Sequence, residues 1–385
     1  MAHLRKRGNN RWQICIEKGR DPVTGKRERI YRTVNGTKKE AEKEMHRLAH
    51  EIETGAYIEP SELSVKEYLL KWFEDYCEPN LAPSTLESYE IIIKSHLIPA
   101  LGSIKLSDLE PMHIKSYQSH KLKSGRKDGK SGGLSKRTVQ YHHRVLSKAL
   151  KHAVKWRIIN NNPADYIDAP SPDRPEINAM TSKEVNKLLN CAKKHPEKWV
   201  YDFIYLAIYT GMRRGEILGL RWKDVDLKER VIHVRQSVTK VTGKDLIFRK
   251  PKTNSSIRPI NIDEDVVAAL KRRKNEQNQN KLLFGSKYDN QHNLIFCKEN
   301  GEPFLPQYAT RQFNEVAKEV DLSHFRLHDL RHTHATLMLK AGVHPKIVQE
   351  RLGHASITVT LDTYSHVIPS MQKEAVQKLK NTLQK

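Results

Sequence analysis

At 385 residues, 37% hydrophobic and 29% charged, the chain has the make-up of a folded protein rather than a disordered one, and room for two or three domains. Sixty-eight Lys and Arg against forty-five Asp and Glu leave a formal charge of +23 and a pI near 9.7, the electrostatic footprint of a nucleic-acid partner. No apolar run of about 18 residues is present, and the basic N-terminal stretch MAHLRKRGNNRW lacks the apolar segment of a signal peptide, so a cytoplasmic protein without a membrane span is expected.

Charge is densest at the start, where residues 1–40 hold twelve Lys/Arg and four Asp/Glu. This segment alternates as strands do: Trp12, Ile14 and Ile16 share one face, a turn is expected at 21–25, and Arg27, Arg29 and Tyr31 then oppose Glu28, Ile30 and Arg32. Thr37 and Glu40 form a capping box for a helix running to about Glu53. The result is a basic sheet backed by one helix, suited to laying strands in a DNA groove.

Beyond a linker at 54–61, capping boxes are expected at Ser64/Glu67 and Ser84/Glu87. Each opens an amphipathic helix, the first presenting Tyr68, Leu69, Trp72, Phe73 and Tyr76, the second Leu86, Tyr89, Ile92, Ile93 and Leu97. The glycine-rich basic stretch KLKSGRKDGKSGGLSKR, 121–137, reads as a mobile loop carrying Lys136 and Arg137, and helical periodicity resumes over 138–156. Residues 62–168 are thus expected to be all-helical. The proline-rich APSPDRPEIN, 169–178, reads as an extended hinge. A further capping box at Thr181/Glu184 begins a last region of helices interrupted by short strands near 231–234, 246–248 and 257–262.

The reactive side chains of this last region form a coherent set. In TGMRRGE, Arg213 and Glu216 are spaced for an ion pair on a helix, and in HDLRH, His328 and Arg331 fall on one helical face. Lys252 sits between two strands, on an expected hairpin tip; His354 follows Gly353 at a helix end, and Tyr364 lies ten residues on. Two arginines, a lysine, two histidines and a tyrosine suit covalent cleavage of a phosphodiester without a metal, because cationic donors can neutralise the charge on the nonbridging oxygens. Ionising a free tyrosine at neutral pH costs about 4 kcal/mol, which nearby cations and a histidine base offset. A zinc site on His328 and His332 is disfavoured, since HDLRH lacks the Glu of HExxH and places a cation, Arg331, between them. Cys15, Cys77, Cys191 and Cys297 show no CxxC spacing, so neither a disulfide framework nor a zinc knuckle is expected.

The motifs TGMRRGE, PKT, HDLRHTHAT and LGHASITVTLDTY resemble those of the tyrosine recombinases, the family that includes phage lambda integrase and the Xer and Cre recombinases. The resemblance implies a multidomain chain with three parts. These are a small α+β arm-binding domain at 1–57, an all-α, SAM-like core-binding domain at 62–168, and a mixed, mainly-α catalytic domain with a small antiparallel sheet at 174–385. It implies that Arg213 and Arg331 clamp the scissile phosphate, that Glu216 supports them, and that Lys252 protonates the leaving 5′ hydroxyl. His328 would assist proton transfer, His354 would fill the position held by His or Trp, and Tyr364 would be the nucleophile that forms a 3′-phosphotyrosine. Strand exchange would then need no cofactor, neither metal nor ATP.

The partners implied are double-stranded attachment sites of core and arm type and a homotetramer in the synapse, with an excisionase and a DNA-bending host protein as accessory candidates. Arg5, Lys6, Arg7, Arg27, Arg29, Lys136 and Arg137 are the expected nucleic-acid contacts. The helical and catalytic domains would form a basic clamp joined by the hinge. The tail beyond Tyr364, amphipathic through Val367, Met371, Ala375, Val376, Leu379 and Leu383, would be a helix packed on its own domain or, as the resemblance implies, one docked on a neighbouring subunit. The hydroxyl-rich ASITVT before Tyr364 reads as a flexible lead. Two rival readings are a type IB topoisomerase-like relaxation activity and a DNA-binding regulator without catalysis.

Overall fold

The structure, a computed structural model, describes residues 2–20, 25, 27–54, 57–59, 62–173, 178–250, 256–289 and 291–364, with Val376, Lys380 and Leu383. All of the expected turn at 21–25 except Gly25, the position of Lys252 and most of the C-terminal tail therefore lie outside the described residues. The chain divides into two compact units, Met1–Asp173 and Arg174–Lys385, and the boundary falls within the proline-rich segment expected to be a hinge.

In the first unit, β1 (Ala2–Gly8), β2 (Arg11–Arg20) and β3 (Arg27–Asn35) form an antiparallel sheet in the order β1-β2-β3. The register sets Leu4 against Ile14 and Ile16 against Ile30. Helix α1 (Lys38–Glu53) covers this apolar face, with Leu48 buried among Ile14 and Ile16, and its Thr37/Glu40 capping box forms as expected. The strand periodicity does not announce β1, because Leu4 is the only large apolar residue in it. The opposite face carries Arg5, Gln13, Arg29 and Tyr31, and Tyr31 is 55% exposed.

The rest of this unit is helical. Helix α2 (Val65–Trp72), capped by Ser64, continues through a π-helical turn at Phe73–Cys77 into α3 (Glu78–Asn80). Helix α4 (Pro83–Glu90) likewise passes through a π-helical turn at Ile91–Leu97 into α5 (Ile98–Leu101). The capping box expected at Ser84 does not form: Pro83 takes the first helical position, Ala82 is the cap residue, and Ser84 lies inside the helix. Proline suits that position because its missing N–H would have no partner there. Helices α6 (Pro111–Ser124) and α7 (Lys136–Lys155) extend further into the basic stretch than expected. Lys136 and Arg137 consequently stand on the first turn of α7, where Ser135 accepts the Thr138 N–H, and not in a loop. Trp72, Tyr68, Ile93, Leu97 and Leu150 lie at the heart of a core that joins these helices.

The second unit begins with α8 (Ser182–Ala192), α9 (Lys198–Thr210) and the short α10 (Arg214–Leu218). Apolar on nearly every side, α9 forms the centre of the main core. Strands β4 (Val225–Asp226), β5 (Val231–Val234) and β8 (Arg258–Asn261) make one antiparallel sheet, while β6 (Ser237–Thr239) and β7 (Ile247–Arg249) make another. Strands β7 and β8, which flank the position of Lys252 in sequence, thus pair in different sheets, while Lys252 itself lies outside the described residues. Helices α11 (Glu264–Phe284), α12 (Pro306–Glu319), α13 (Asp329–Lys340), α14 (Pro345–Leu352) and α15 (Ile357–Tyr364) complete the unit. The approach to Tyr364, expected as a flexible lead, is helical from Ile357 onward: Thr360 and Tyr364 fall four apart, both buried, on one face of α15. The architecture is that of a multidomain, mostly helical protein with small antiparallel sheets, as the sequence predicts.

Candidate active site

Helix α9 stops where Gly211 turns left-handed, with φ 64°. A Cβ at this position would stand 2.6 Å from His334 Cδ2, so glycine is required both by the turn and by the packing. The Gly211 carbonyl accepts Arg331 Nη1 at 2.8 Å, and the carbonyl of Leu352, the last residue of α14, accepts Arg331 Nη2 at 2.7 Å. One guanidinium therefore satisfies carbonyls at the C-terminal ends of two helices, where the backbone leaves acceptors and partial negative charge unmatched. Arg331 is 3% exposed; burial first, then the like charge of Arg213, lowers its pKa to about 9, which leaves it charged at neutral pH.

Arg213 is the residue that caps α10, with extended backbone, and is not on a helix face as the spacing suggests. Its pairing with Glu216 holds all the same: Glu216 Oε2 accepts the Arg213 N–H and Oε1 accepts Nη1, both at 2.9 Å. The same carboxylate receives Arg258 from β8, Nη2 at 2.9 Å and Nη1 at 3.3 Å. Burial alone would raise the Glu216 pKa, but the hydrogen bonds and charge of Arg258, with those of Arg213, outweigh it and hold the carboxyl below its ordinary value. Arg258 Nε in turn donates to the Arg351 carbonyl at 2.6 Å and so ties this pair to α14.

His328 caps α13 one residue before its first turn. Desolvation lowers its pKa, aided by His332, Arg331 and Arg213; the residue keeps an exposed edge, so solvent relieves part of that effect. Its ring meets that of His332 edge-on, with centroids 5.2 Å apart. His332 Nδ1 lies 2.9 Å from the hydroxyl of Tyr364, which is 1% exposed and packs among Ala335, Leu339, Val348 and Leu352. Burial pushes the Tyr364 phenol up to about 12 against the opposing charge of Arg331. His354 follows the left-handed Gly353 that ends α14, and its Nδ1 lies 2.8 Å from Thr360 Oγ1, which anchors α15. Burial first, then Arg331 and Arg213, lowers the His354 pKa to about 4. A cleft of about 570 Å3 lined by Arg213, Arg214, Ser237, Thr310, His328 and Arg331 adjoins this group.

The structure thus gathers Arg213, Glu216, His328, Arg331, His354 and Tyr364 within one unit, while Lys252 lies outside the described residues. The residues expected to contact nucleic acid, Arg5, Lys6, Arg7, Arg27, Arg29, Lys136 and Arg137, are all exposed and belong to the other unit. Arg5 and Arg29 stand on the sheet face away from α1, whereas Lys6, paired with Trp12, falls on the side of α1. Two participants are absent from the expected set. Arg258 had no signal beyond its place in a strand. His332 had one, its position four residues after His328, which pointed only to a metal site to be dismissed.

Residues 178–371 match the Phage integrase family, and residues 64–122 match the Phage integrase, N-terminal SAM-like domain. The chain is 28% identical to the ICEBs1 integrase of Bacillus subtilis (strain 168), across 99% of this chain and 100% of that one. It is 27% identical to a tyrosine recombinase XerC-like protein of Caldanaerobacter subterraneus subsp. tengcongensis, across 97% of each. Among solved structures, the Tn1549 transposon integrase in complex with transposon right end DNA superposes with a TM-score of 0.69 at 26% identity, covering 83% of this chain and all of that one. A lambda integrase tetramer bound to a Holliday junction shares the fold, with a TM-score of 0.54 at 20% identity over 92% of this chain and 96% of that one. The family model covers half of the chain, and the chain therefore belongs to the phage integrase family of tyrosine recombinases, enzymes that cleave and rejoin DNA.

Proposed function

We propose that the protein integrates and excises a mobile element by attack of Tyr364 on the scissile phosphate of a core-type attachment site. The observation that carries this reading is that Tyr364, hydrogen-bonded to His332 and under the charge of Arg331, meets His328 and Arg213 in one electrostatic network, although up to 151 positions separate them in sequence. The three-part division at 1–57, 62–168 and 174–385 assigns arm-site binding to the basic sheet and core-site binding to the helical region and the catalytic domain. Arg213 and Arg331, the first held by Glu216, neutralise the nonbridging oxygens as charge builds on them. Lys252 gives a proton to the departing 5′ oxygen, His328 assists proton transfer, and His354 fills the position held by His or Trp in the family. The phosphotyrosine retains the energy of the phosphodiester, so an incoming 5′ hydroxyl reseals the strand without ATP. A tetramer joins two duplexes for the exchange; the element is a prophage or an integrative conjugative element, and an excisionase and a DNA-bending host protein set direction in the cytoplasm.

The test uses a nicked duplex that carries the element end flanking the coding region, because loss of the short cleaved strand traps the covalent complex. Tyr364→Phe abolishes the trapped adduct while affinity for the duplex stays within about threefold, since one buried hydroxyl contributes little to a phosphate-dominated interface. An adduct formed by the Phe variant would show that the nucleophile lies elsewhere.

A further inference from the structure

The phenol of Tyr364 must surrender its proton as its oxygen closes on phosphorus, and burial makes that harder. A general base has to lie within about 2.6–3.2 Å of the group it deprotonates. Among the described residues, the side chain hydrogen-bonded to the Tyr364 hydroxyl is His332, with Nδ1 at 2.9 Å. His328, to which the family resemblance assigns proton transfer, stacks edge-on against His332, and it is the His332 ring that neighbours Tyr364, with centroids 5.9 Å apart. We infer that His332 is a further catalytic residue, the immediate acceptor of the Tyr364 proton; this rests on the reading of Tyr364 as the nucleophile.

In cleavage, the Oη–H bond breaks with its proton passing to Nδ1, the Oη–P bond forms, and the P–O5′ bond breaks with its electron pair moving to the 5′ oxygen. That oxygen takes its own proton from a different donor, the role proposed for Lys252. In religation, the 5′ hydroxyl gives its proton back to that donor as its oxygen bonds phosphorus and the P–Oη bond breaks, and Nδ1–H returns its proton to Oη. Nδ1 can accept only if the ring proton is on Nε2, and only in the neutral ring. Desolvation lowers the His332 pKa and outweighs the opposing effect of Asp329, with Arg331 and Arg326 adding to the lowering, so the ring is neutral at neutral pH. His332 is only partly buried and stands at the second turn of α13, one residue after Arg331, so the base and the phosphate clamp are placed by the same rigid helix.

The test is single-turnover cleavage by the full chain on the same nicked duplex, made once with the ordinary oxygen and once with sulfur at the 5′ bridging position. A thiolate leaves without a proton, so sulfur relieves a missing acid but not a missing base. His332→Asn puts an amide oxygen near the place of Nδ1, keeping an acceptor that cannot hold the proton. We expect cleavage to fall by about a hundredfold or more on both substrates, with DNA affinity unchanged. Lys252→Ala, in contrast, is restored by sulfur. A fluorinated tyrosine at position 364, with a more acidic phenol, restores part of the rate in His332→Asn, which a purely structural loss would not allow. Should the Asn variant fail to melt cooperatively, His332→Gln takes its place in the same assays. Cleavage by His332→Asn within about threefold of the unmodified protein, recovery with sulfur, or no gain from the fluorinated tyrosine overturns the proposal. If Tyr364→Phe still forms an adduct, the nucleophile reading fails first, whereas a dead Tyr364→Phe beside an active His332→Asn removes only the role of His332.

Discussion

Glu216 meets four donors with two oxygens, the backbone N–H and one guanidinium nitrogen of Arg213 and two nitrogens of Arg258. At 4% exposed for Glu216 and 5% for Arg258, the pair is buried, and removing one partner of a buried pair costs far more than a surface pair contributes. Arg258→Met, similar in length and without charge, is therefore expected to destabilise the protein by about 3 kcal/mol, measured by denaturant unfolding. It should also slow cleavage of the nicked duplex, because Arg213 loses the second cation that keeps its carboxylate partner ionised and aligned. A variant of unchanged stability would mean that the carboxylate finds water or another donor. At this scale the sequence was informative where a residue's chemistry is unusual in itself. Arg213, Arg331, His328, His354 and Tyr364 stand out as an ordered set with one chemical purpose. Arg258 and His332 do not, because an arginine in a strand and a second histidine on a helix acquire meaning only from partners 42 and 32 positions away.

At the scale of elements, α9 ends against α13. His334 Nε2 accepts Arg351 Nε at 3.2 Å, which places the ring proton on Nδ1, and Nδ1–H donates to the Ile208 carbonyl at 2.8 Å. The ring is thus held neutral by a donor on one side and an acceptor on the other, and burial lowers its pKa to about 3, with the charge of Arg351 adding to the effect. The unfolded chain binds a proton near pH 6.5 that the folded chain refuses until about pH 3, so stability rises with pH across that interval. The contribution is fully present above the unfolded value and is lost as pH falls through the window. Between pH 7 and pH 5 this one group is expected to remove about 2 kcal/mol. Urea unfolding at the two pH values should therefore show a smaller difference for His334→Gln than for the unmodified protein, and an equal difference would assign the acid sensitivity to other groups. Such contacts explain which elements were legible beforehand. Capping boxes at Thr37, Ser64 and Thr181 are local and formed as read. The box at Ser84 lost to Pro83, which begins the helix two residues sooner. The lead to Tyr364 reads as loose because its hydroxyls favour turns, yet it is helical through the burial of Thr360 and its contact with His354.

At the scale of the whole molecule the positive charge is unevenly placed, and its placement decides what each part can contribute to binding. Helix α7 carries six Lys and Arg with no acidic residue, and the N-terminal sheet shows Arg5 and Arg29 beside the exposed Tyr31 on its free face. The small core of that sheet, Ile14, Ile16 and Leu48, is a cluster separate from the helical one built on Trp72 and Leu97, so the sheet can be removed without opening the larger core. The boundary between the two compact units is legible in the sequence because it falls in the proline-rich segment 169–178, whereas the pairing of β7 and β8 with different partners is not, since register depends on contacts the spacing does not encode. Neutralising a phosphate releases its counterions, so the logarithm of the binding constant falls with the logarithm of salt by about 0.9 per neutralised phosphate on duplex DNA. Deleting residues 1–57 is accordingly expected to abolish binding to distal arm fragments from the element ends and to make the salt dependence of the full site shallower by about one unit for each phosphate the sheet had neutralised. Cleavage of the nicked core-type duplex should persist, because Arg213, His328, Arg331 and Tyr364 all belong to the other compact unit. A salt titration by fluorescence anisotropy on core, arm and combined fragments separates these effects. If the truncated chain binds every fragment with the same affinity and the same slope as the full chain, the basic sheet is not an arm-binding module, and its charge serves some other purpose.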